Sequence, residues 1–368
     1  MNNYIFLYIT RDYPYAYMAN NTKFSLLAKE LCSIGNKVCI VNDPYHSKKG
    51  SFTKKIDGYD IIQWSNNLNV TNNLRSLLKK RLVPNGKNIV IVEYFNFLKF
   101  NKVISICHEE NYLIGAAFQE WHFNIEHTLK GKINALFVER LLFRKCDFLL
   151  PISEYLIKKS NLLNEHIFKL PILSPFSPNE KNILIEPYFA YCVSLEYKKT
   201  IYKVLDALSY VKHKDIRLKL IINGSPKAID EFSNYVKNLV ISKKVDVLFN
   251  VPSDKLKSIY QHSLGLLIPL IPNYIPDIAR FSQKIAEYLE TGRPILSTNV
   301  GEVSFYFTDR VNAYIMDYTS ECIAKTMDEI IDYPMKSSEI GAAGWHLGND
   351  LFNVSKVSSD LNCYIEKL

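Results

Sequence analysis

From end to end the chain alternates short apolar runs with amphipathic segments, in two series separated by one proline-rich break. In the first series, apolar runs at 4–9, 37–42, 60–64, 88–93, 114–119 and 147–152 read as strands. Helical patterns lie between them, as at 24–34, where Phe24, Leu27, Leu31 and Ile34 fall on one face. Such alternation implies a parallel sheet covered on both faces, because parallel neighbours need a crossover and the crossover is usually a helix. The break carries Pro171, Pro175 and Pro178 and reads as a linker. The pattern then restarts, with strands at 188–194, 217–223, 245–249, 265–269, 294–298 and 313–316. Helices at 201–211, 229–241, 254–262 and 282–291 separate these.

The expected class is therefore α/β, with two doubly wound domains at 1–175 and 176–340. A helical tail, 341–368, is expected to pack back on the domains. Sheets of this kind bind ligands beyond the carboxyl ends of their strands, so two facing domains predict a cleft suited to a nucleotide-type ligand. A length of 368 residues suits two domains, and 48% hydrophobic with 22% charged residues excludes a disordered chain.

No run of about twenty apolar residues occurs, so no membrane span is expected. The opening residues lack a basic region and a small-residue cleavage site, and read as a first strand rather than a signal peptide. Seven scattered cysteines without a CxxC pair fit a reducing cytoplasm and give no zinc pattern. Frequent Asn, Lys and Ile suggest an AT-rich, bacterial coding sequence. The net charge of +8 admits nucleic acid, an anionic membrane surface or phosphorylated substrates as partners. Basic clusters at Arg75, Lys79, Lys80 and Arg81, and at Lys158 and Lys159, read first as solvated helix faces and second as lipid-headgroup contacts. No nucleic-acid-binding signature accompanies them.

The most informative stretch is 276–298, PDIARFSQKIAEYLETGRPILST. Ser282 is a good N-cap for a helix running to about Thr291 and stopped by Gly292, and Pro294 opens a buried strand. A helix start offers free N–H groups and a positive dipole end to phosphate oxygens. Lys284 adds a cation in the first turn, and Glu287 presents a carboxylate able to accept two ribose hydroxyls. Glu287 fits equally an i,i+3 pair with Lys284. Arg280 fits a phosphate contact or a pair with Asp277.

This stretch resembles the donor-site signature of family 4 (group 1) retaining glycosyltransferases, one branch of which reads roughly R-x-P-x-K-x-x-E-Y-x-x-x-G-K-P. The resemblance implies a GT-B fold of two Rossmann-like domains, with Glu287 on the nucleotide ribose. It places the amides around Phe281, Ser282 and Gln283, with Arg280 and Lys284 nearby, at the diphosphate or donor sugar. The wider family often carries another Glu eight residues before Glu287; here that position is Ala279. Tyr191-Cys192-Val193-Ser194-Leu195 followed by Lys198-Lys199 resembles the start of the family's second domain, which makes Lys199 (or Lys198) the cation for the diphosphate. Val193 stands where the family usually has Gly. The run Ile221–Ser225, containing Gly224, resembles the strand-end turn beside the nucleotide, and Asn250-Val251-Pro252 the segment whose backbone meets the base. These resemblances cover roughly 188–305 in the family's order.

The first domain resembles the family more loosely. Tyr13-Pro14, and Asn20 to Lys23 before a helix, stand where the family places a loop facing the cleft. Glu120-Trp121-His122 and the run from Asp147 to Leu156 are similar to segments of polysaccharide-assembling members. In that comparison Glu120 orients the acceptor hydroxyl and His122 hydrogen-bonds the sugar or the acceptor. A loop packed by its tryptophan is the plain alternative.

The resemblance implies transfer of a sugar from a UDP- or GDP-linked donor to a hydroxyl of a glycan or lipid-linked glycan, with retention. The setting implied is bacterial surface polysaccharide synthesis in the cytoplasm, peripheral to the inner membrane face. No DxD motif is evident, so no obligatory metal or other cofactor is expected. A catalytically silent homologue, suggested by Ala279 and Val193, and a sugar-nucleotide epimerase stay open. A dinucleotide oxidoreductase is disfavoured because no G-x-G-x-x-G follows a strand.

Overall fold

The computed structural model describes residues 1–8, 19–42, 50–64, 70–93, 96–177 and 184–368. They form two compact units. The first comprises Met1–Leu173, Ala279–Phe281 and Val354–Leu368; the second comprises Ser174–Ile278 and Ser282–Asn353.

The first unit begins β1 (Asn3–Tyr8), α1 (Ala19–Ser33), β2 (Lys37–Asn42), β3 (Phe52–Ile56), β4 (Tyr59–Gln63) and α2 (Val70–Arg81). It continues β5 (Asn88–Val92), α3 (Phe97–Glu109), β6 (Leu113–Phe118), α4 (His122–Ile125) and α5 (Leu129–Phe137). A π-helical turn (Val138–Leu142), β7 (Phe148–Pro151) and α6 (Glu154–Ser160) follow. The strand order is β3-β4-β2-β1-β5-β6-β7, parallel except for β3. Strand β5, Asn88–Val92, is apolar from Ile89 to Val92 because helices cover both faces, and all five of its residues are buried.

Phe24, Leu27 and Leu31 lie at 0–1% exposure, each worth about 1.5–3 kcal/mol of burial. Ile34, expected on the same face, is 48% exposed, because the helix has already ended at Ser33. Strand β3 has no counterpart in the sequence reading. Its middle residues, Thr53, Lys54 and Lys55, are exposed, and it joins β4 through Asp57-Gly58, both at positive φ, as a two-residue hairpin turn requires.

The second unit runs β8 (Tyr188–Ser194), α7 (Lys198–Tyr210), β9 (Arg217–Asn223), α8 (Pro226–Lys237), β10 (Val245–Phe249) and α9 (Ser253–Gln261). Then come β11 (Gly265–Ile268), α10 (Ile275–Ala279), α11 (Gln283–Leu289), β12 (Ile295–Thr298), α12 (Val303–Tyr306) and β13 (Tyr314–Met316). Helices α13 (Ser320–Asp332) and α14 (Pro334–Leu351) complete it. The last helix, α15 (Val354–Lys367), belongs to the first unit, where Val354, Val357, Leu361 and Ile365 join the core beneath α1. The sheet is wholly parallel, ordered β10-β9-β8-β11-β12-β13. The order in which strands are laid down reverses between β8 and β11, which is the switch point of a doubly wound sheet.

Glycines let α14 approach the turn behind α11. A Cβ on Gly341 would stand 2.3 Å from the Gly292 carbonyl oxygen, and one on Gly344 2.8 Å from that of Asn312.

Candidate active site

At the switch point the strands part. Pairing between β8 and β11 extends only from Gly265–Phe189 to Leu266–Ala190. The Cys192 amide, lying beyond this register, donates instead to the Tyr288 hydroxyl at 3.0 Å. Tyr288 is fully buried and meets the Tyr260 ring edge-on, so one side chain of α11 both fills the core and satisfies the opened strand. The neighbouring position, Glu287, turns to the half-exposed side.

Glu287 Oε2 accepts from Lys284 Nζ at 2.7 Å, both side chains being a little over a fifth exposed. Burial works against the Lys284 ammonium, but the Cys192 thiol and the Glu287 carboxylate beside it hold its pKa above the ordinary lysine value. The i,i+3 pair that the sequence allowed is therefore formed, and both groups flank the opening between β8 and β11. Ser282 sits at the N-cap of α11, but its hydroxyl caps no amide. The helix is shorter than expected, ending at Leu289 before Gly292 at φ +68°.

Lys199 lies exposed in the first turn of α7, just past the end of β8, and makes no ion pair among the described residues. At the end of β9, Gly224 is fixed in two ways. Its amide donates to Asn250 Oδ1 at 3.3 Å, and a Cβ there would lie 2.8 Å from Leu195 Cδ1. Asn250 takes positive φ and returns a bond from Nδ2 to the Gly224 carbonyl at 3.5 Å, with half-buried Val251 following it. The loop after β11 is held by Thr298, whose hydroxyl donates to the Leu270 carbonyl at 2.6 Å. Buried Asp277 accepts from the Ile271 amide at 2.8 Å.

Lys199, Gly224, Val251, Ser282, Lys284 and Glu287 thus share the second unit, at the carboxyl ends of β8, β9 and β10 and on α11. Arg280 and Phe281 group with the first unit, where Phe281 is buried and Ala279 accepts from the Ser153 hydroxyl at 2.5 Å.

Glu120 and His122 follow β6 in the first unit. Burial pulls the His122 imidazole down to about 4, so it is neutral at physiological pH. Trp121 donates through Nε1 to Glu139 Oε2 at 3.0 Å, and Lys159 Nζ sits 3.5 Å from the Trp121 ring centroid. Burial raises the Glu139 carboxyl to about 7, opposed by the Phe123 amide, the Trp121 indole and Lys159. Behind them Lys23, buried, donates to Gln119 Oε1 at 2.7 Å and to the Leu170 carbonyl at 2.8 Å. Its pKa is driven well below the ordinary value by burial, which Glu93 resists.

Residues 20–23 lie in the first turn of α1 rather than in a loop before it. Tyr13-Pro14 lies outside the described residues, as do the side chains of Asn20, Asn21 and Thr22. The packing roles of Lys23, Glu139 and Tyr288 were not read from the sequence. For Glu139 a signal existed: it is the only acidic residue in the apolar and basic run 127–146. His108 and His213 pair with Asp147 and Asp332 at the surface, at 3.2 and 2.9 Å. Among the described residues no three His, Cys, Asp or Glu side chains converge as a metal site would need.

Residues 176–345 match the family model of glycosyl transferases, group 1, over nearly all of the second unit. The chain is a glycosyltransferase. The transferase has the two α/β units of the GT-B fold, and solved structures repeat them over its whole length. Sucrose-phosphate synthase (tll1590) of Thermosynechococcus elongatus superposes with TM-score 0.77 at 12% identity, covering 100% of this chain and 99% of its own. A glycosyltransferase of Rickettsia africae ESF-5 gives 0.71 at 16% identity, covering 99% and 98%. Anabaena HepE in complex with UDP gives 0.67 at 10% identity, covering 100% of both. At these identities the likeness is one of fold. No curated protein matches the transferase by sequence.

Proposed function

We propose that this glycosyltransferase moves a sugar from a nucleoside-diphosphate donor to a hydroxyl of a glycan or lipid-linked glycan, with retention at the anomeric carbon. The observation that carries the reading is the Lys284–Glu287 pair on α11, beside the parting of β8 and β11. A ribose with two vicinal hydroxyls suits a carboxylate that already has one oxygen on a fixed cation. Lys284 and exposed Lys199 supply positive charge for the diphosphate, whose departure takes the electron pair of the bond to the sugar. Gly224 closes the strand-end turn beside the nucleotide, and the peptide at Val251 is the backbone offered to the base. Arg280 and the amides of 281–283 serve the diphosphate and the donor sugar. Because Ala279 is buried and carries no carboxylate, discrimination of the sugar falls to those backbone groups.

In the first unit Glu120 orients the acceptor hydroxyl, and neutral His122 hydrogen-bonds the sugar. An imidazole held near 4 does not keep the proton that the acceptor loses, which leaves the departing diphosphate as the basic group. UDP bound to the HepE structure supports a uridine nucleotide among the candidates. The setting proposed is bacterial surface polysaccharide assembly, in the cytoplasm at the membrane face. Among the described residues no helix is long and apolar enough to cross a membrane.

The test is calorimetric titration with UDP and GDP, on the wild type and on Glu287→Ala. Tight binding of one nucleotide, lost in the variant, is the expected result; no binding of either to the wild type sinks the donor-site reading.

A further inference from the structure

Helix α5 and the π-helical turn that continues it are apolar on two sides. The inner side, with Ala135, Val138 and Leu142, is buried against the first unit. On the outer side a second stripe recurs every four residues: Leu129 is 76% exposed, and Ile133, Phe137 and Leu141 are 44–46% exposed. Four-residue steps drift only about 40° per turn on an α-helix, so these side chains form one ridge. The Phe137 ring meets that of Phe97 on α3 at 5.8 Å, and the Phe97 amide donates to Asn134 at 2.7 Å. This sets Leu98, 72% exposed, beside the ridge. A contiguous outward apolar surface of this kind marks an interaction site.

Its charge says what covers it. From 127 to 146 the chain carries Lys130, Lys132, Arg140, Arg144 and Lys145 against one acidic residue, Glu139, which is buried on Trp121. None of Lys130, Lys132, Arg140 or Arg144 is in an ion pair among the described residues. The denser-looking cluster on α2 is different, because Arg75 and Lys79 pair with Glu109 and Glu110, and Arg81 with Asp60. Apolar side chains rimmed by unpaired cations are the pattern of an interfacial helix on an anionic bilayer.

We infer that the outer ridge of α5 and its π-helical continuation, with Leu98 of α3, docks this protein on a membrane surface rich in anionic lipid. The inference rests on the proposed lipid-linked acceptor and names the surface that would meet the lipid. The same segment carries Glu139, which holds Trp121 between Glu120 and His122, so the docked surface adjoins the proposed acceptor residues.

The experiment is vesicle co-sedimentation of the full chain, using phosphatidylcholine with or without phosphatidylglycerol. Binding to the anionic vesicles alone is expected, weakening as salt rises. The double substitution Leu129→Glu/Phe137→Glu should cut it at least about tenfold, which is about 1.4 kcal/mol. Lys130→Glu/Arg144→Glu should remove the preference for anionic lipid. Both variants should melt like the wild type and bind nucleotide as it does. No binding to anionic vesicles, or binding untouched by the substitutions, overturns the inference. So does a wild-type dimer in light scattering that Leu129→Glu/Phe137→Glu converts to a monomer, since the ridge would then join two copies. Vesicle binding without nucleotide binding would overturn the donor-site reading instead.

Discussion

The Trp121 indole donates to Glu139 Oε2 at 3.0 Å across the start of α4, tying the residue between Glu120 and His122 to the π-helical turn. Trp121 precedes α4 and gives it no side-chain cap, so Glu139 supplies an acceptor from another element. A π-helical turn is rarer and looser than an α-turn and recurs at functional sites. Here it carries a carboxyl to a place that burial makes costly.

Glu139→Ala leaves the indole N–H without a partner, and the expected cost is about 1–3 kcal/mol. Glu139→Gln keeps an acceptor and should lose less, and thermal melting ranks the two. The pH dependence distinguishes them further. The folded carboxyl titrates near 7, above its ordinary 4.5. Its contribution to stability is thus full below the unfolded value and is lost as pH rises towards and through 7. Wild-type melting minus that of Glu139→Gln should fall between pH 5 and 8. A flat difference would mean that the carboxyl ionises as freely as one in water.

His122 has the opposite sign. Burial lowers its folded value to about 4, so the stability it contributes is full above the ordinary imidazole value of 6.5 and is lost as pH falls towards and through 4. The C2 proton resonance of His122 should hardly move between pH 6 and 9, and the rate should show no imidazole step in that range. A resonance that titrates between 6 and 7 would restore a proton-storing role.

The strand and helix pattern of both units was legible because parallel strands buried on both faces appear as unbroken apolar runs, as from Ile89 to Val92 and at Gly265–Ile268. Strand β3 was not, since an edge strand with three exposed residues leaves no such run; only Asp57-Gly58 marked it. The donor helix was legible from Ser282, Lys284, Glu287 and Gly292, whose roles are set by neighbours in sequence. Tyr288 and Glu139 act through partners at Cys192 and Trp121, distant along the chain, and periodicity carries no information about such pairs.

Removing the Tyr288 hydroxyl tests how the opened strand is held. Tyr288→Phe preserves the ring against Tyr260 but leaves the buried Cys192 amide without an acceptor, costing about 1–3 kcal/mol in chemical denaturation. Glu287→Ala breaks a partly exposed pair and should change stability by no more than about 1 kcal/mol. The two substitutions should therefore separate: Tyr288→Phe costs mainly stability, and Glu287→Ala mainly nucleotide affinity. Equal stability losses would mean that the Lys284–Glu287 pair is a structural strut.

The approach of α14 to the turn behind α11 makes a sharper test of the second unit. A Cβ at Gly341 would meet the Gly292 carbonyl oxygen at 2.3 Å and the Pro294 nitrogen at 2.9 Å, both backbone atoms that no rotamer change can move aside. Helix propensity alone favours Ala over Gly by about 1 kcal/mol. Overpacking opposes it, typically by about 1–3 kcal/mol, and more where backbone must shift. Packing should win, so Gly341→Ala is expected to lower the melting temperature and to weaken nucleotide binding through displacement of the end of α11. An exposed control, Ser338→Ala in the same helix, should leave both unchanged. If Gly341→Ala melts at or above the wild type, α14 does not press on the Gly292 turn, and the donor helix is held instead by its packing on β11 and β12 and by the Tyr288 bond to β8.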